Sequence, residues 1–272
     1  MELTDEFERN SLSTVCEETA CPNIWECFFR REAAFLIMGT ICTRACGHCR
    51  IKSGKPTVPQ EGESRRIAES VASLGLESIV IASVARDDLH GGGAKYFVDT
   101  IKEIRARVPK CQIEVLIPDF GGDLNAVTEV VDARPDIIGH NIEVVSRLFP
   151  ALRPQADYER SLAVLKKLVG DDMAVKSNIM VGLGETRSEI RAAGRDLVGL
   201  GLKTIMIGQY LQPSREHHAV RRYYRPAEFM GLAKYFQRLG FRRVVSGPIV
   251  RSSLRGVFHD LTPPKTLSGH TT

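Results

Sequence analysis

"AFLIMGTICTRACGHC", residues 34–49, joins an apolar run of eight residues to three closely spaced cysteines. A short, continuous apolar run of this kind is typical of a strand buried on both faces of a sheet. Cys42, Cys46 and Cys49 follow it directly, with the spacing C-x3-C-x2-C. The stretch therefore predicts a buried strand that ends in a loop carrying three potential metal ligands.

Five further runs of the same kind follow along the chain, at 77–83, 112–119, 136–143, 175–183 and 203–211. Between the runs, apolar residues recur at helical intervals, as in Ile67, Val71 and Leu74. Strands that alternate with helices predict an α/β fold with a parallel sheet and crossover helices. The pattern by itself does not distinguish an open sheet from a barrel.

Composition narrows the class of protein. The chain has 272 residues, 43% of them hydrophobic, so it can bury a large core without covalent cross-links. Its N-terminus is acidic and polar, unlike a signal peptide, and no run approaches the ~18 apolar residues of a membrane span. The net charge of +4 is too small to indicate a nucleic-acid partner. We therefore expect a cytoplasmic protein with reduced thiols and no membrane or nucleic-acid partner.

A second group of cysteines lies upstream, where Cys16, Cys21 and Cys27 have the spacing C-x4-C-x5-C. A reducing compartment disfavours disulfides, and structural zinc usually takes four ligands where each group here offers three. Thiolates also hold iron–sulfur clusters, and three of them leave one iron of a four-iron cluster open to another ligand. Two [4Fe-4S] clusters fit these counts best, and the remaining Cys111 is most simply a buried core thiol.

The C-x3-C-x2-C motif resembles the signature of radical S-adenosylmethionine (radical SAM) enzymes. The resemblance implies a partial (β/α)6 TIM-like barrel, with the open iron of one cluster binding S-adenosylmethionine and yielding a 5′-deoxyadenosyl radical. It also implies three regions: an N-terminal cluster-binding extension (1–33), the barrel (34–243) and a C-terminal segment (244–272). No general acid or base is expected, because the radical abstracts the hydrogen.

The upstream segment "TVCEETACPNIWECF" is similar to the auxiliary-cluster segment of the lipoyl synthase family, as are "RPQADYERSL", "VKSNIMVGLGET" and "GPIVRSS" further along. This resemblance implies a sulfurtransferase that inserts sulfur at carbons 6 and 8 of an octanoyl chain, with the auxiliary cluster as sulfur donor. It also implies a serine ligand to that cluster from "RSS" (251–253), assigned to Ser253 with Ser252 as the alternative.

The same resemblance implies particular partners. The octanoyl chain would be attached to a lysine of a lipoyl carrier domain, either a 2-oxoacid dehydrogenase E2 subunit or the glycine cleavage H protein. A low-potential electron donor would reduce the cluster. The segment "REHHAVRRYYR" (215–225), with four arginines and two histidines, is interpreted either as a solvated loop or as a docking surface for an acidic carrier.

Four polar residues near the ends of predicted strands are candidate contacts to S-adenosylmethionine: Asn141, Glu143, Lys176 and Glu185. Asn141 and Glu143 share one face of a strand, because side chains alternate with a period of two. Hydrogen-bonded core positions are the competing interpretation for these residues.

Two departures from the family pattern remain. His48 stands where an aromatic apolar residue usually precedes the third cysteine, and Leu254 stands where a tyrosine usually follows "RSS". The alternatives are another radical SAM sulfur-inserting enzyme, of the biotin synthase or methylthiotransferase type, and an iron–sulfur electron carrier. The first lacks this combination of motifs, and the second needs neither a six-unit barrel nor an open iron.

Overall fold

Strands and helices alternate along most of the chain in the computed structural model, which describes residues 2–171 and 173–253. The strands are β1 Ser13–Thr14, β2 Ala33–Ile37, β3 Ile41–Cys42, β4 Lys52–Ser53, β5 Ser78–Ser83, β6 Gln112–Leu116, β7 Ile137–Gly139, β8 Val175–Val181, β9 Thr204–Gln209 and β10 Arg243–Gly247. The helices are α1 Glu2–Arg9, α2 Val15–Glu18, α3 Ile24–Phe29, α4 Glu63–Ser73, α5 Ala94–Arg107, α6 Leu124–Asp132, α7 Phe149–Leu152, α8 Tyr158–Gly170, α9 Arg187–Gly199 and α10 Pro226–Leu239. Leu254, the second departure from the family pattern, lies outside the described residues.

The main sheet has eight strands in the order β1-β2-β5-β6-β7-β8-β9-β10. From β2 to β10 every neighbouring pair is parallel and follows chain order, whereas β1 is antiparallel to β2 at one edge. Parallel strands added in one direction with crossover helices build the wall of a TIM-type barrel. Within the described residues β10 pairs with β9 alone, so the barrel is partial, which confirms the predicted fold class.

All six predicted strands are present, as β2 and β5 to β9, and the structure adds a seventh parallel strand, β10. Its sequence, RVVSG, has only two consecutive apolar residues, and all five residues are half-buried. Such a short run carries too little periodicity to predict a strand. β10 lies across the predicted boundary at 243/244 and leads the chain back toward the mouth of the barrel.

The two faces of the sheet differ in polarity. The outer face packs its apolar side chains, among them Phe35, Ile81 and Val115, against the surrounding helices in the main core. The inner face carries Glu114 and Lys176, both almost fully buried. Burying charged side chains costs free energy, and even a buried ion pair adds little to stability. Glu114 and Lys176 therefore indicate that the inner face has a functional role.

Helix boundaries follow from capping residues. Thr186 and Glu189 form a capping box at the start of α9, and Asp123 accepts two backbone hydrogen bonds at the start of α6. α10 begins with Pro226 and ends at Gly240, whose φ of 119° suits glycine. No helix within the described residues is long and apolar enough to cross a membrane.

Candidate active site

The cysteine loop (residues 42–49) lies at the C-terminal end of the parallel strands, as predicted. Cys42 is the last residue of the two-residue strand β3, and its Sγ accepts hydrogen bonds from the backbone N–H groups of Arg44 (3.4 Å) and Ala85 (3.3 Å). Cys42, Cys46 and Cys49 all line one cavity of about 190 Å³. Its opposite walls come from the ends of β5, β6 and β7, so the structure brings the three thiols together in the barrel mouth.

Buried polar atoms around this cavity lack partners among the described residues. Each of these atoms is buried, has no hydrogen-bond partner, and belongs to a residue that lines the cavity. They are His48 Nδ1, Ser83 Oγ, His140 Nε2, Asn141 Oδ1 and Arg153 Nε. Buried polar groups are almost always hydrogen-bonded in native proteins. This concentration therefore indicates a polar ligand, and S-adenosylmethionine, with its amino, carboxylate, ribose and adenine groups, fits such a donor and acceptor set.

Two of the four candidate contacts to S-adenosylmethionine, Asn141 and Glu143, line the cavity. Asn141 Nδ2 donates to Glu143 Oε1 (2.8 Å), and Asn178 Nδ2 donates to Glu143 Oε2 (3.1 Å). Glu143 has a φ of 63°, a left-handed conformation that is unfavourable for a residue with a side chain. Strained backbone of this kind is concentrated at functional sites.

The other two candidate contacts lie elsewhere. Glu185 accepts hydrogen bonds from the backbone N–H groups of Gly182 (2.7 Å) and Leu183 (2.8 Å), and from the Tyr224 hydroxyl (2.9 Å). It therefore stabilises the turn that follows β8. Lys176 is paired with Glu114 inside the barrel, and neither Lys176 nor Glu185 is among the residues that line the cavity.

Arg153 also lines this cavity, although no pattern in the sequence predicts a role for it. It follows α7, and its Nη1 donates to the backbone carbonyls of Asn141 (3.2 Å) and Ile142 (3.0 Å). Its guanidinium also lies 5.0 Å from the Phe149 ring centroid. Arg153 places a permanent positive charge beside Cys46 in the cavity wall. Its motif, "RPQADYERSL", carried the family resemblance but contained no spacing that indicates a ligand.

Arg44, within the cysteine loop, is held by two carboxylates. Its side chain is 5% exposed, and its Nη2 lies 2.6 Å from both Asp87 and Asp119. The pKa of Asp119 is lowered by this guanidinium despite its burial. The loop is therefore fixed to the ends of β5 and β6 by a buried ion-pair network.

The segment 215–225 holds the other side of the cysteine loop. The ring Nε2 of His217 donates to the Cys49 carbonyl (2.9 Å), and the backbone N–H of His218 donates to the Gly47 carbonyl (2.9 Å). The two histidines are thus structural contacts of the loop. Arg215 and Arg221 of the same segment remain exposed beside them.

The second group of thiols lines a separate cleft. Cys16, Cys21 and Cys27 surround it together with Arg251 and Ser253, whereas Ser252 is not among the lining residues. Asn23 Nδ2 donates to the Ile249 carbonyl (2.8 Å), which joins this cysteine segment to the residues after β10. The structure therefore brings together Ser253 and three thiols that are more than 220 residues away in sequence.

Burial disfavours the thiolate form of several cysteines at the two sites. It raises the pKa of Cys16 and Cys49 to about 12, and that of Cys27 to about 11. Metal ligation requires thiolates, so loading iron must release protons. Burial also lowers the pKa of His140 to about 4, so its imidazole is neutral. Its Nδ1–H donates to the Ile117 carbonyl (3.0 Å), which leaves Nε2 as an acceptor at the cavity.

The donor sets fit iron–sulfur clusters. All seven cysteines are free thiols, and no three metal-ligating side chains in the described residues converge on a single ion position. A four-iron cluster does not need such convergence, because each thiolate binds a different iron. The cleft between Cys16, Cys21 and Cys27 encloses only about 10 Å³, so this fit is one of donor chemistry and not of volume.

The two sites share the inner face of the sheet. Cys16 packs against Ala34 and Val80, while Ala82, two residues further along β5, lines the cavity of the cysteine loop. Two residues of a strand span about 6.6 Å. The cleft and the cavity are therefore neighbours on this face of the sheet.

Residues 36–197 match the model of the Radical SAM superfamily. This match, together with the fold and the three-thiol cavity, shows that the chain is a radical SAM enzyme. Among solved structures, the chain resembles HydG, a maturase of the [FeFe]-hydrogenase, with a TM-score of 0.61 and 14% identity over 79% of this chain and 56% of that one. Streptococcus suis SuiB bound to S-adenosylmethionine gives a TM-score of 0.59 and 12% identity over 83% and 54%. At such low identity these structures support the fold alone.

Curated relatives narrow the assignment. A lipoyl synthase of Caldicellulosiruptor saccharolyticus is 48% identical over 245 residues, 89% of this chain and 86% of the relative. A lipoyl synthase of Rubrobacter xylanophilus is 49% identical over 254 residues, 93% and 79% respectively. The chain belongs to the lipoyl synthase family. This confirms the sequence predictions of a radical SAM sulfurtransferase whose cofactors are [4Fe-4S] clusters and S-adenosylmethionine.

Proposed function

We propose that the chain converts an octanoyl chain, linked to a lysine of a lipoyl carrier domain, into a lipoyl group by inserting sulfur at carbons 6 and 8. The observation that carries this proposal is the presence of two three-thiol sites side by side on one inner sheet face, the second of them also lined by Ser253. A single three-thiol site would support radical generation only. The second site would hold the cluster from which sulfur is inserted.

The two sites divide the work. Cys42, Cys46 and Cys49 would hold the cluster that, with S-adenosylmethionine and one electron, would supply a 5′-deoxyadenosyl radical for hydrogen abstraction from an unactivated carbon. Cys16, Cys21, Cys27 and Ser253 would hold the auxiliary cluster, which would supply the sulfur. A serine oxygen is a harder ligand than a thiolate and suits iron less well than sulfur does. Ser253 would therefore be the most readily replaced of the four protein ligands of that cluster.

The cavity residues bind and orient the cofactor. Asn141 Oδ1 and His140 Nε2 are acceptors for the amino or hydroxyl groups of S-adenosylmethionine, and Arg153 is a donor for its carboxylate. Glu143, held by Asn141 and Asn178, adds a negative charge to the same wall. These polar groups are already in position when the cofactor binds, so the barrel mouth is a preorganised binding site.

Replacing Arg153 tests this receptor. We expect Arg153→Met to raise the KM for S-adenosylmethionine about 10–100-fold, because a hydrogen bond to a charged group contributes about 1.5–3 kcal/mol. The measurement is 5′-deoxyadenosine formation against cofactor concentration. Arg147→Met is the matched control, because Arg147 is 55% exposed and pairs with Glu189 on the outer surface. Equal KM values in both variants would remove Arg153 from the cofactor site.

Exposed cations lie in the two segments that adjoin the cysteine loop. They comprise Arg50 and Lys52 beside the cysteine loop, and Arg215 and Arg221 on the segment that hydrogen-bonds to it; these four residues form the basic rim. We propose that the basic rim docks the acidic face of the carrier domain, because opposite charge accelerates and orients encounter. The electron donor, a low-potential reductant, completes the set of partners. A reducing, cytoplasmic compartment suits seven free thiols.

Charge reversal on the basic rim separates docking from chemistry. We expect Arg215→Glu/Arg221→Glu to lower kcat/KM for an intact octanoylated carrier about tenfold or more, and to leave a short octanoyl-lysine peptide unaffected. The difference should shrink as salt is added, because exposed charges are screened. Arg195→Glu/Arg238→Glu, at exposed positions on α9 and α10, changes the net charge by the same amount and is the control. A similar loss with the peptide would contradict a docking role.

The proposed reaction is tested directly by mass spectrometry. Reconstituted protein is incubated anaerobically with S-adenosylmethionine, dithionite and an octanoyl-lysine peptide. We expect a peptide that carries two sulfur atoms, with two 5′-deoxyadenosine molecules formed per product. If 5′-deoxyadenosine formed while the peptide stayed unchanged, the assignment of the radical-generating site would stand and the proposed formation of the lipoyl group would be contradicted.

A further inference from the structure

The residues after β10 form a strap (residues 248–253) that carries Ser253 to the auxiliary cleft. Three side chains fix it: Asn23 at the Ile249 carbonyl, Arg251 at the Gln209 carbonyl (3.4 Å), and Lys176 at the Ser252 carbonyl. Of these, Lys176 binds the residue directly before the serine ligand. The position of the Ser253 hydroxyl therefore depends on a lysine that comes from inside the barrel.

Lys176 belongs to a charge pair with no access to solvent. Its Nζ lies 2.5 Å from Glu114 Oε1, and the side chains of the two residues are 1% and 0% exposed. The desolvation of such a pair can cost as much as the attraction returns, so its presence is weak evidence for a role in stability. The ion pair instead holds the Lys176 ammonium group at a fixed position on the inner face, next to the strap.

Glycines make room for this arrangement on both sides. A Cβ at Gly139, on β7 between the two charged residues, would lie 3.3 Å from Lys176 Cγ and 3.1 Å from Leu116 Cδ1. Bare backbone at this position lets the lysine cross from β8 toward β6. A Cβ at Gly208, on β9, would lie 2.2 Å from the Val250 carbonyl oxygen. The strap backbone therefore rests directly on β9.

We propose that Lys176, held by Glu114, is a positioning residue for the serine ligand of the auxiliary cluster, and that it acts by fixing the strap at the Ser252 carbonyl. The inference rests on the proposed function. It replaces the sequence-based hypothesis that Lys176 contacts S-adenosylmethionine, because the lysine bonds to the strap and does not line the cofactor cavity. Substitution should thus affect the auxiliary cluster and spare the radical-generating site.

Two variants test the proposal from opposite sides. Lys176→Met/Glu114→Gln removes both charges together, which avoids leaving one buried charge unpaired. Gly208→Ala leaves the pair intact and displaces the strap at Val250. Gly231→Ala is the matched control, because nothing lies within 4 Å of its added Cβ on α10. Thermal unfolding of each variant shows that it is folded.

Each protein is loaded anaerobically with iron and sulfide, challenged with an excess of chelator, and assayed for retained iron and for 5′-deoxyadenosine formation. We expect both strap variants to lose about four of about eight irons some 10–100-fold faster than wild type, because removing a residue that supports a metal ligand usually weakens metal binding by that factor. Their 5′-deoxyadenosine formation should stay within about twofold, and Gly231→Ala should match wild type in both readouts.

Wild-type iron retention in both strap variants would overturn the proposal. So would retained iron with a raised KM for S-adenosylmethionine in Lys176→Met/Glu114→Gln, because that result returns the lysine to the cofactor site. The unsubstituted protein reports on the proposed function separately. If it held only about four irons, the two-cluster proposal would fail before any variant was compared.

Discussion

Replacing Cys46 with alanine should abolish 5′-deoxyadenosine formation while leaving the auxiliary cluster in place. Cys46 is one of three thiols on the cavity of the cysteine loop, so its loss leaves two protein ligands for that cluster. Outer-shell substitutions alone cost about 10–100-fold, so losing a ligand should lower the rate more than about a hundredfold. Bound iron should fall from about eight to about four per chain.

Cys111→Ala is the control for this substitution. Cys111 is 1% exposed in the main core and lies outside both thiol sites. Its replacement removes a buried sulfur, so we expect a loss of about 1 kcal/mol in the free energy of unfolding, with unchanged iron and activity. If Cys46→Ala kept its 5′-deoxyadenosine formation, the cysteine loop would not be the radical-generating site.

Replacing Cys27 should give the complementary phenotype. Cys27 lines the auxiliary cleft with Cys16 and Cys21, and none of the three lines the other cavity. We therefore expect Cys27→Ala to form 5′-deoxyadenosine at a rate within a few-fold of wild type, while sulfur insertion falls more than about a hundredfold. The measurements are 5′-deoxyadenosine and sulfur-bearing peptide, quantified in one reaction.

The contrast between the two cysteine variants separates the sites. A Cys27→Ala protein that still made the two-sulfur product would show that the sulfur comes from elsewhere. One that lost both 5′-deoxyadenosine and product would show that the upstream thiols support the radical site. The first result would contradict the proposal that the auxiliary site supplies the sulfur. The second would contradict the proposal that radical generation does not depend on the auxiliary site.

Much of this arrangement could be predicted from local sequence. The six principal strands were visible as apolar runs, because a parallel sheet buried on both faces selects for continuous hydrophobic residues. The two thiol groups were visible because ligands on one loop need close spacing. Asn141 and Glu143 are expected from the sequence on one face of a strand, but both follow the end of β7, and Glu143 has a φ of 63°, so the two-residue period of a strand does not account for their meeting.

Contacts that depend on strand register could not be predicted in the same way. Lys176 pairs with Glu114, 62 residues earlier, and binds the Ser252 carbonyl, 76 residues later, and no local pattern relates these positions. Arg153 enters the cavity from the end of a four-residue helix, α7. The segment 215–225 is interpreted from its sequence as a solvated loop or a docking surface, whereas His217 and His218 also hydrogen-bond to the cysteine loop.

The central claim is that the auxiliary cluster held by Cys16, Cys21, Cys27 and Ser253 is the source of the inserted sulfur. Its most direct test is one anaerobic turnover with protein reconstituted with heavy-isotope sulfide and then freed of unbound sulfide. We predict a peptide in which both sulfur atoms carry the label, formed in no more than one copy per chain. Product with unlabelled sulfur, or many turnovers without added sulfide, would contradict it.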